Sequence, residues 1–134
     1  MALTAEMLLK NKKVIEERTA EKETTLKIKS LEGLVEDPTI KIRSLNYAEI
    51  SKIQEEAGQD KIKMDILTCY NAVVEPNLKD KKVQEGYECK TNPYGIVEKI
   101  FEKQDVMFIS GKIAKLSGLA ETKEENVIEE IKNE

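Results

Sequence analysis

Two hydrophobic periods meet in this chain, and the place where one gives way to the other limits the folds open to it. Over 24–44, Leu26 and Ile28, and later Ile40 and Ile42, alternate with charged residues, as half-buried strands do. Gly33 and Asp37-Pro38 punctuate the connection between the two runs, over a gap longer than a tight hairpin turn. From Asn46 onward the apolar residues recur at steps of three and four. A bare ribbon is at best marginally stable in water, so a helix must cover one of its faces. The expected fold is therefore mainly α with a small β-ribbon (α+β), a compact helical domain carrying a short N-terminal helix and a two-stranded antiparallel ribbon.

The helical part has clear punctuation. Asn46, followed three residues later by Glu49, reads as an N-cap with a returning acidic side chain. Tyr47, Ile50, Ile53 and Ala57 then share a face, and Gly58 is a natural stop. Over 61–74, Ile62, Ile66, Cys69 and Val73 form one stripe, widened by Leu67, Tyr70 and Val74, which predicts a central core helix ended by Pro76. A short helix over 79–85 precedes Gly86, and Asn92-Pro93 restarts helix with Asn as cap and Pro at the first helical position. Val97, Ile100 and Phe101 are its buried side. Asp105 is the expected cap of the next helix, where Val106, Ile109, Ile113 and Leu116 share a face. Gly118 ends that helix, with Leu119 able to fold back on its last turn.

The ends are less anchored. Thr4 can cap a short helix running to about 13, with Leu3 and Leu8 at the spacing of a hydrophobic staple. Its cluster Met7, Leu8 and Leu9 lacks a long repeating stripe, which suggests docking onto this domain or another protomer. Thr122-Lys123-Glu124-Glu125 is a capping box, and Val127, Ile128 and Ile131 make a narrow apolar edge on a charged terminal helix that must pack or fray. The chain reads as a single domain over 1–134, with an N-terminal segment 1–23, the ribbon 24–45, a helical core 46–119 and the terminal helix 120–134.

The chemistry on offer is bland. Histidine and tryptophan are absent and aromatics are 4% of the chain, so the side chain best suited to proton transfer near neutral pH and the usual base-stacking platform are both missing. A net charge of −4 with no basic stripe argues against nucleic acid; Lys10-Asn11-Lys12-Lys13 and Lys79-Asp80-Lys81-Lys82 sit among acidic residues and read as solvated ends. Cys69 and Cys89 form no CxxC pair, and Cys69, among Ile66, Tyr70 and Val73, reads as buried packing. The acidic pairs Glu55/Glu56 and Glu129/Glu130 diverge by about 100° on a helix and do not converge on one substrate atom. No catalytic, cofactor-binding or metal-ligating residues are expected. No stretch approaches the roughly 20 apolar residues that cross a bilayer and no secretory leader is visible, so the expected location is the cytosol.

Several fragments together carry a family resemblance: Thr39 through Glu49, Val73-Val74-Glu75-Pro76-Asn77-Leu78-Lys79-Asp80, Val83-Gln84-Glu85-Gly86-Tyr87, Lys90-Thr91-Asn92-Pro93, and Leu116-Ser117-Gly118-Leu119 through Lys132-Asn133. In that order, over nearly the whole chain, they resemble the XkdN-like tail assembly chaperones of PBSX-type prophages and related tailed phages. One departure is Phe101-Glu102-Lys103-Gln104-Asp105, where similar chains often carry an apolar stretch and Pro-Gly, so the break there is expected to be softer. The resemblance implies a non-enzymatic protein of the bacterial host cytoplasm, serving phage, prophage or tailocin assembly. It would bind the tape-measure protein while the tail tube forms, then leave the finished tail. The tail tube protein, a frameshift-extended form of the chain and a homo-oligomer are further implied partners; nucleic acid and membrane are not. The alternative is a structural tail component or self-assembling adaptor. Candidate partner-binding residues are Leu8, Leu9, Val127, Ile128 and Ile131, because the terminal segments have the fewest obvious partners within the chain.

Overall fold

In the computed structural model, which describes residues 2–119, the two alternating runs pair as expected. Strand β1 (Glu23–Lys27) lies antiparallel to β2 (Thr39–Arg43), with Leu26 opposite Ile40 and Thr24 opposite Ile42. Ile28, one residue past β1, is buried with Ile40 and Ile42. Between the strands, Gly33 takes a φ of +84°, which a side chain would strain, and the Asp37 carboxylate accepts from the Thr39 N–H at 3.1 Å.

The sheet has a third strand, so the two-stranded ribbon is corrected to the order β1-β2-β3. The helix expected over 61–74 stops at Ala72, and β3 (Val73–Glu75) begins at the next residue, antiparallel to β2. Val73 and Val74 have helical spacing from Ile66 and Tyr70, but β2 offers them backbone partners, Val73 opposite Ile42 and Glu75 opposite Lys41. Two β-branched residues suit that strand better than another helical turn.

The helices are α1 (Ala5–Lys10), α2 (Lys12–Glu17), α3 (Tyr47–Ala57), α4 (Lys61–Ala72), α5 (Lys81–Gly86), α6 (Ile96–Ile100) and α7 (Lys103–Leu116). Helix α4 packs on α7, α3 and α6, and Cys69 and Ala72 on its inner face have no exposed surface. Ile96, Val97, Ile109 and Ile113 are equally closed off, so the core lies between α4, α6, α7 and one face of the sheet. Buried Gln84 on α5 donates from Nε2 to the carbonyls of Leu78 at 2.6 Å and Pro93 at 2.9 Å, joining the loops on either side of its helix.

Local stop and start signals hold with few exceptions. The Asn46 side chain accepts from the Glu49 N–H at 2.9 Å and the Glu49 carboxylate accepts from the Asn46 N–H at 3.0 Å, the reciprocal box that starts α3. At the end of α7, Leu119 N–H donates to Ala114 O at 2.8 Å and Gly118 N–H to Lys115 O at 3.1 Å, with Gly118 at φ +81°. That pair of bonds is the Schellman stop. Asn92 makes no capping bond; Pro93 opens a 3-10 turn that runs into α6. Helix α7 begins two residues before Asp105, whose carboxylate accepts from the Glu102 N–H at 2.9 Å. The break before α7 is firm: Phe101 is extended, with ψ 142°.

Two residues assigned to core stripes face outward. Tyr47, at the first position of α3, is 88% exposed, and Ile62, in the first turn of α4, is 71% exposed. Both precede the level at which their helices meet the core. Consequently Leu67→Ala is expected to cost about 2–5 kcal/mol, whereas Ile62→Ala should stay within about 0.5 kcal/mol of wild type. Denaturant unfolding of both variants checks this; equal losses would contradict the placement of α4.

Candidate partner-binding surfaces

The groups that hold Lys22 and the last turn of α7 lie at one corner of the core. Ser117 Oγ accepts from the Leu45 N–H at 2.8 Å and donates to Ile113 O at 2.7 Å, so the last turn of α7 is tied to the end of β2. Ser44 closes the same corner: its N–H donates to Lys22 O at 2.8 Å and its Oγ accepts from the Lys22 N–H at 2.8 Å. Beside it, Arg43 Nη1 and Nη2 donate to both Glu49 carboxylate oxygens, at 3.0 and 2.6 Å, and Nη2 also reaches Asn71 O at 3.2 Å. One guanidinium thus joins β2, α3 and α4. The hydrogen bonds from Arg43, aided by the Asn46 N–H, hold the Glu49 carboxyl below the usual carboxylate range, and the same pair raises Arg43.

From this corner the N-terminal arm, α1 and α2, extends without burying a side chain among the described residues. Thr4 Oγ1 accepts from the Met7 N–H at 3.2 Å, as its capping role requires. Leu3 and Leu8 stay 72% and 44% exposed, so no buried staple forms. The helix expected to end at about 13 is instead two short helices reaching Glu17, parted at Asn11, whose side chain donates to Met7 O at 2.8 Å. An amide that bonds its own backbone offers an alternative to helix, which explains the break. Leu9 is 74% exposed and borders an open concavity of about 650 Å³ shared with Lys10, Lys12, Lys13, Glu16 and Glu17.

A second surface was not among the sequence-based candidates. Between α4, α6 and α7 runs a groove of about 790 Å³ lined by Ile62, Ile66, Phe101, Val106 and Met107. Its charged borders are Lys61, Asp65, Glu98, Glu102 and Lys103. Met107 is 67% exposed, and Phe108 beside it is half exposed under the Lys112 ammonium, 5.6 Å from the ring centre. The signal was present in the chain: Val106-Met107-Phe108-Ile109 places apolar residues right round a helix, and a single core face cannot take all four.

The remaining candidates divide simply. Leu8 and Leu9 lie together on the arm; Val127, Ile128 and Ile131 fall outside the described residues. Cys69 is fully buried, donates from Sγ to Val106 O at 3.5 Å, and is pushed up to about 12 by burial, with Asp65 adding to the shift. A thiol held protonated in this way is packing, not a nucleophile. Glu55 and Glu56 face solvent on α3. Among the described residues no group of three acidic or cysteine side chains is placed to hold a metal ion, and no helix is long and apolar enough to cross a membrane.

The Arg43–Glu49 pair makes a pH-dependent prediction. Because the folded-state pKa of Glu49 is depressed, its contribution to stability is complete above the ordinary carboxylate range and is lost as the pH falls through the folded value. Glu49→Gln is therefore expected to lower stability at pH 7 by about 1–2 kcal/mol, with the gap from wild type closing under acid. Paired thermal melts at neutral and acidic pH measure this; a gap that is constant with pH would contradict the ionic role.

Compared with known proteins, the chain matches the phage XkdN-like tail assembly chaperone family over residues 5–132. No curated protein and no solved structure matches it. The family match takes in the arm, all three strands and every described helix, together with most of the segment after Leu119. On that extent, the chain belongs to the phage XkdN-like tail assembly chaperone family.

Proposed function

We propose that this chaperone binds the tape-measure protein while the tail tube assembles around it, and that it leaves before the tail is complete. It acts without catalysis, in the host cytoplasm, as one domain. The observation that carries this reading is the arm: a helical pair with Leu8 and Leu9 turned to solvent. A long helical client exposes apolar stripes until its tube subunits arrive, and such stripes aggregate unless covered. An amphipathic arm can lie along them as helix against helix.

The magnitudes suit a factor that has to let go. Burying each leucine contributes about 1.5–3 kcal/mol, while association costs about 4 kcal/mol or more in lost freedom. A contact of a few such residues is therefore weak singly and useful when repeated along a client. Val127, Ile128 and Ile131 are proposed to add to the same client surface.

Co-expression with the cognate tape-measure protein tests the reading. Wild type is expected to keep that protein soluble and to co-purify with it, and Leu8→Glu/Leu9→Glu to lose both effects with an unchanged melting temperature. An insoluble client in the presence of wild type, or full rescue by the double variant, would overturn it.

A further inference from the structure

We infer that two copies of this chain pair through the open edge of β1, antiparallel about a twofold axis at Thr25, so that their two sheets join into one. Strand β1 is an outer strand of the sheet, bonded to β2 on one side. All of its residues but Leu26 are exposed. The opposite edge is β3, whose three residues meet β2 in a broken register, so β1 is the longer and more regular of the two.

The phase of the ladder decides which backbone groups are on offer. Ser44 N–H donates to Lys22 O at 2.8 Å and Ile28 N–H to Pro38 O at 2.9 Å, so the even-numbered residues of this stretch bond across to β2. Bonded and unbonded positions alternate along an antiparallel pair, which turns the N–H and C=O of Glu23, Thr25 and Lys27 to the open side. Unpaired groups along an edge are a template for a further strand. Odd-numbered residues of one copy must therefore meet odd-numbered residues of the other, and with Thr25 opposite Thr25 all three take part.

The side chains select the same register. Thr24 and Leu26 share a face with buried Ile42 and Ile40, so Glu23, Thr25 and Lys27 project from the other face of the sheet. About a twofold at Thr25, Glu23 of each copy lies opposite Lys27 of the other, with Cα atoms about 5.5 Å apart. An in-register parallel pairing sets glutamate beside glutamate and lysine beside lysine, and an antiparallel one slipped by two residues puts Thr25 opposite a charge. Opposite charges directly across a strand pair favour it and like charges oppose it. Each side chain now holds an exposed, long ion pair, Glu23 with Lys41 at 3.9 Å and Lys27 with Glu32 at 3.8 Å, which contributes little and leaves it available.

In this register the two Lys22 residues, where the arms depart, stand about 20 Å apart along the joined strands. Under the client reading proposed above, a dimer would hold a client at two points; the pairing itself is measured on the purified chain alone, and its failure would leave that reading untouched. Sedimentation equilibrium at low salt, where exposed charge pairs are least screened, is expected to show monomer and dimer in exchange. Glu23→Lys and Lys27→Glu, each alone, are expected to raise the dissociation constant about tenfold with unchanged circular dichroism. An equimolar mixture of the two is expected to restore the wild-type value, because opposite charges then face each other at both pairs. Oxidation checks the register, since native Cys69 and Cys89 are buried. Thr25→Cys is expected to give a disulfide-linked dimer, and Glu23→Cys, whose two copies lie about 13 Å apart, to give none. A wild-type chain that is monomeric at every concentration, a dimer indifferent to both charge reversals, or cross-linking at 23 as ready as at 25 would overturn the proposal.

Discussion

Helix α4 lies against α7 and passes into β3 without an intervening residue, and the rest of the molecule is arranged around that junction. Cys69 and Ala72 sit where the two helices and the sheet meet, both with no exposed surface. No loop separates α4 from β3, so the direction of β3 is set directly by the end of α4. Arg43 reinforces the joint by bonding Glu49 on α3 and the Asn71 carbonyl on α4 from a single strand position. The surfaces outside this joint follow from it. The core gathers its apolar residues between α4, α6, α7 and the sheet, and among the described residues the arm's leucines stay exposed.

How much of this was legible depended on how local each cause was. The Asn46–Glu49 box, the Gly118 stop and the Leu26/Ile40 alternation are written within a few residues, and each forms where the pattern placed it. The end of α4 was not legible because Ala72-Val73-Val74 satisfies a helical period as well as a strand. What decides is the free edge of β2, about thirty residues away, and tertiary pairing overrides local preference. Tyr47 and Ile62 were misplaced for a related reason: periodicity says which residues share a face but not where along a helix that face meets the core.

The candidate surfaces divide along the same line. The exposure of Leu8 and Leu9 was legible because a short apolar cluster without a stripe has no core face to join, and in the structure they stand open on the arm. The groove between α4, α6 and α7 depends on three elements converging, so no single segment announced it. Ser117 has the same character. Its hydroxyl joins α7 to the end of β2, a contact between residues 45 and 117 that no spacing rule contains.

A packed core bearing exposed apolar residues suits the proposed role, in which a client is held while the tube forms and is then released. The most direct test of that account is the protein composition of purified tails set against that of assembly intermediates, measured by quantitative mass spectrometry. The account predicts this chain together with the tape-measure protein in the intermediates and its absence from finished tails. Its presence in finished tails at a fixed stoichiometry would contradict the account and make it a structural component.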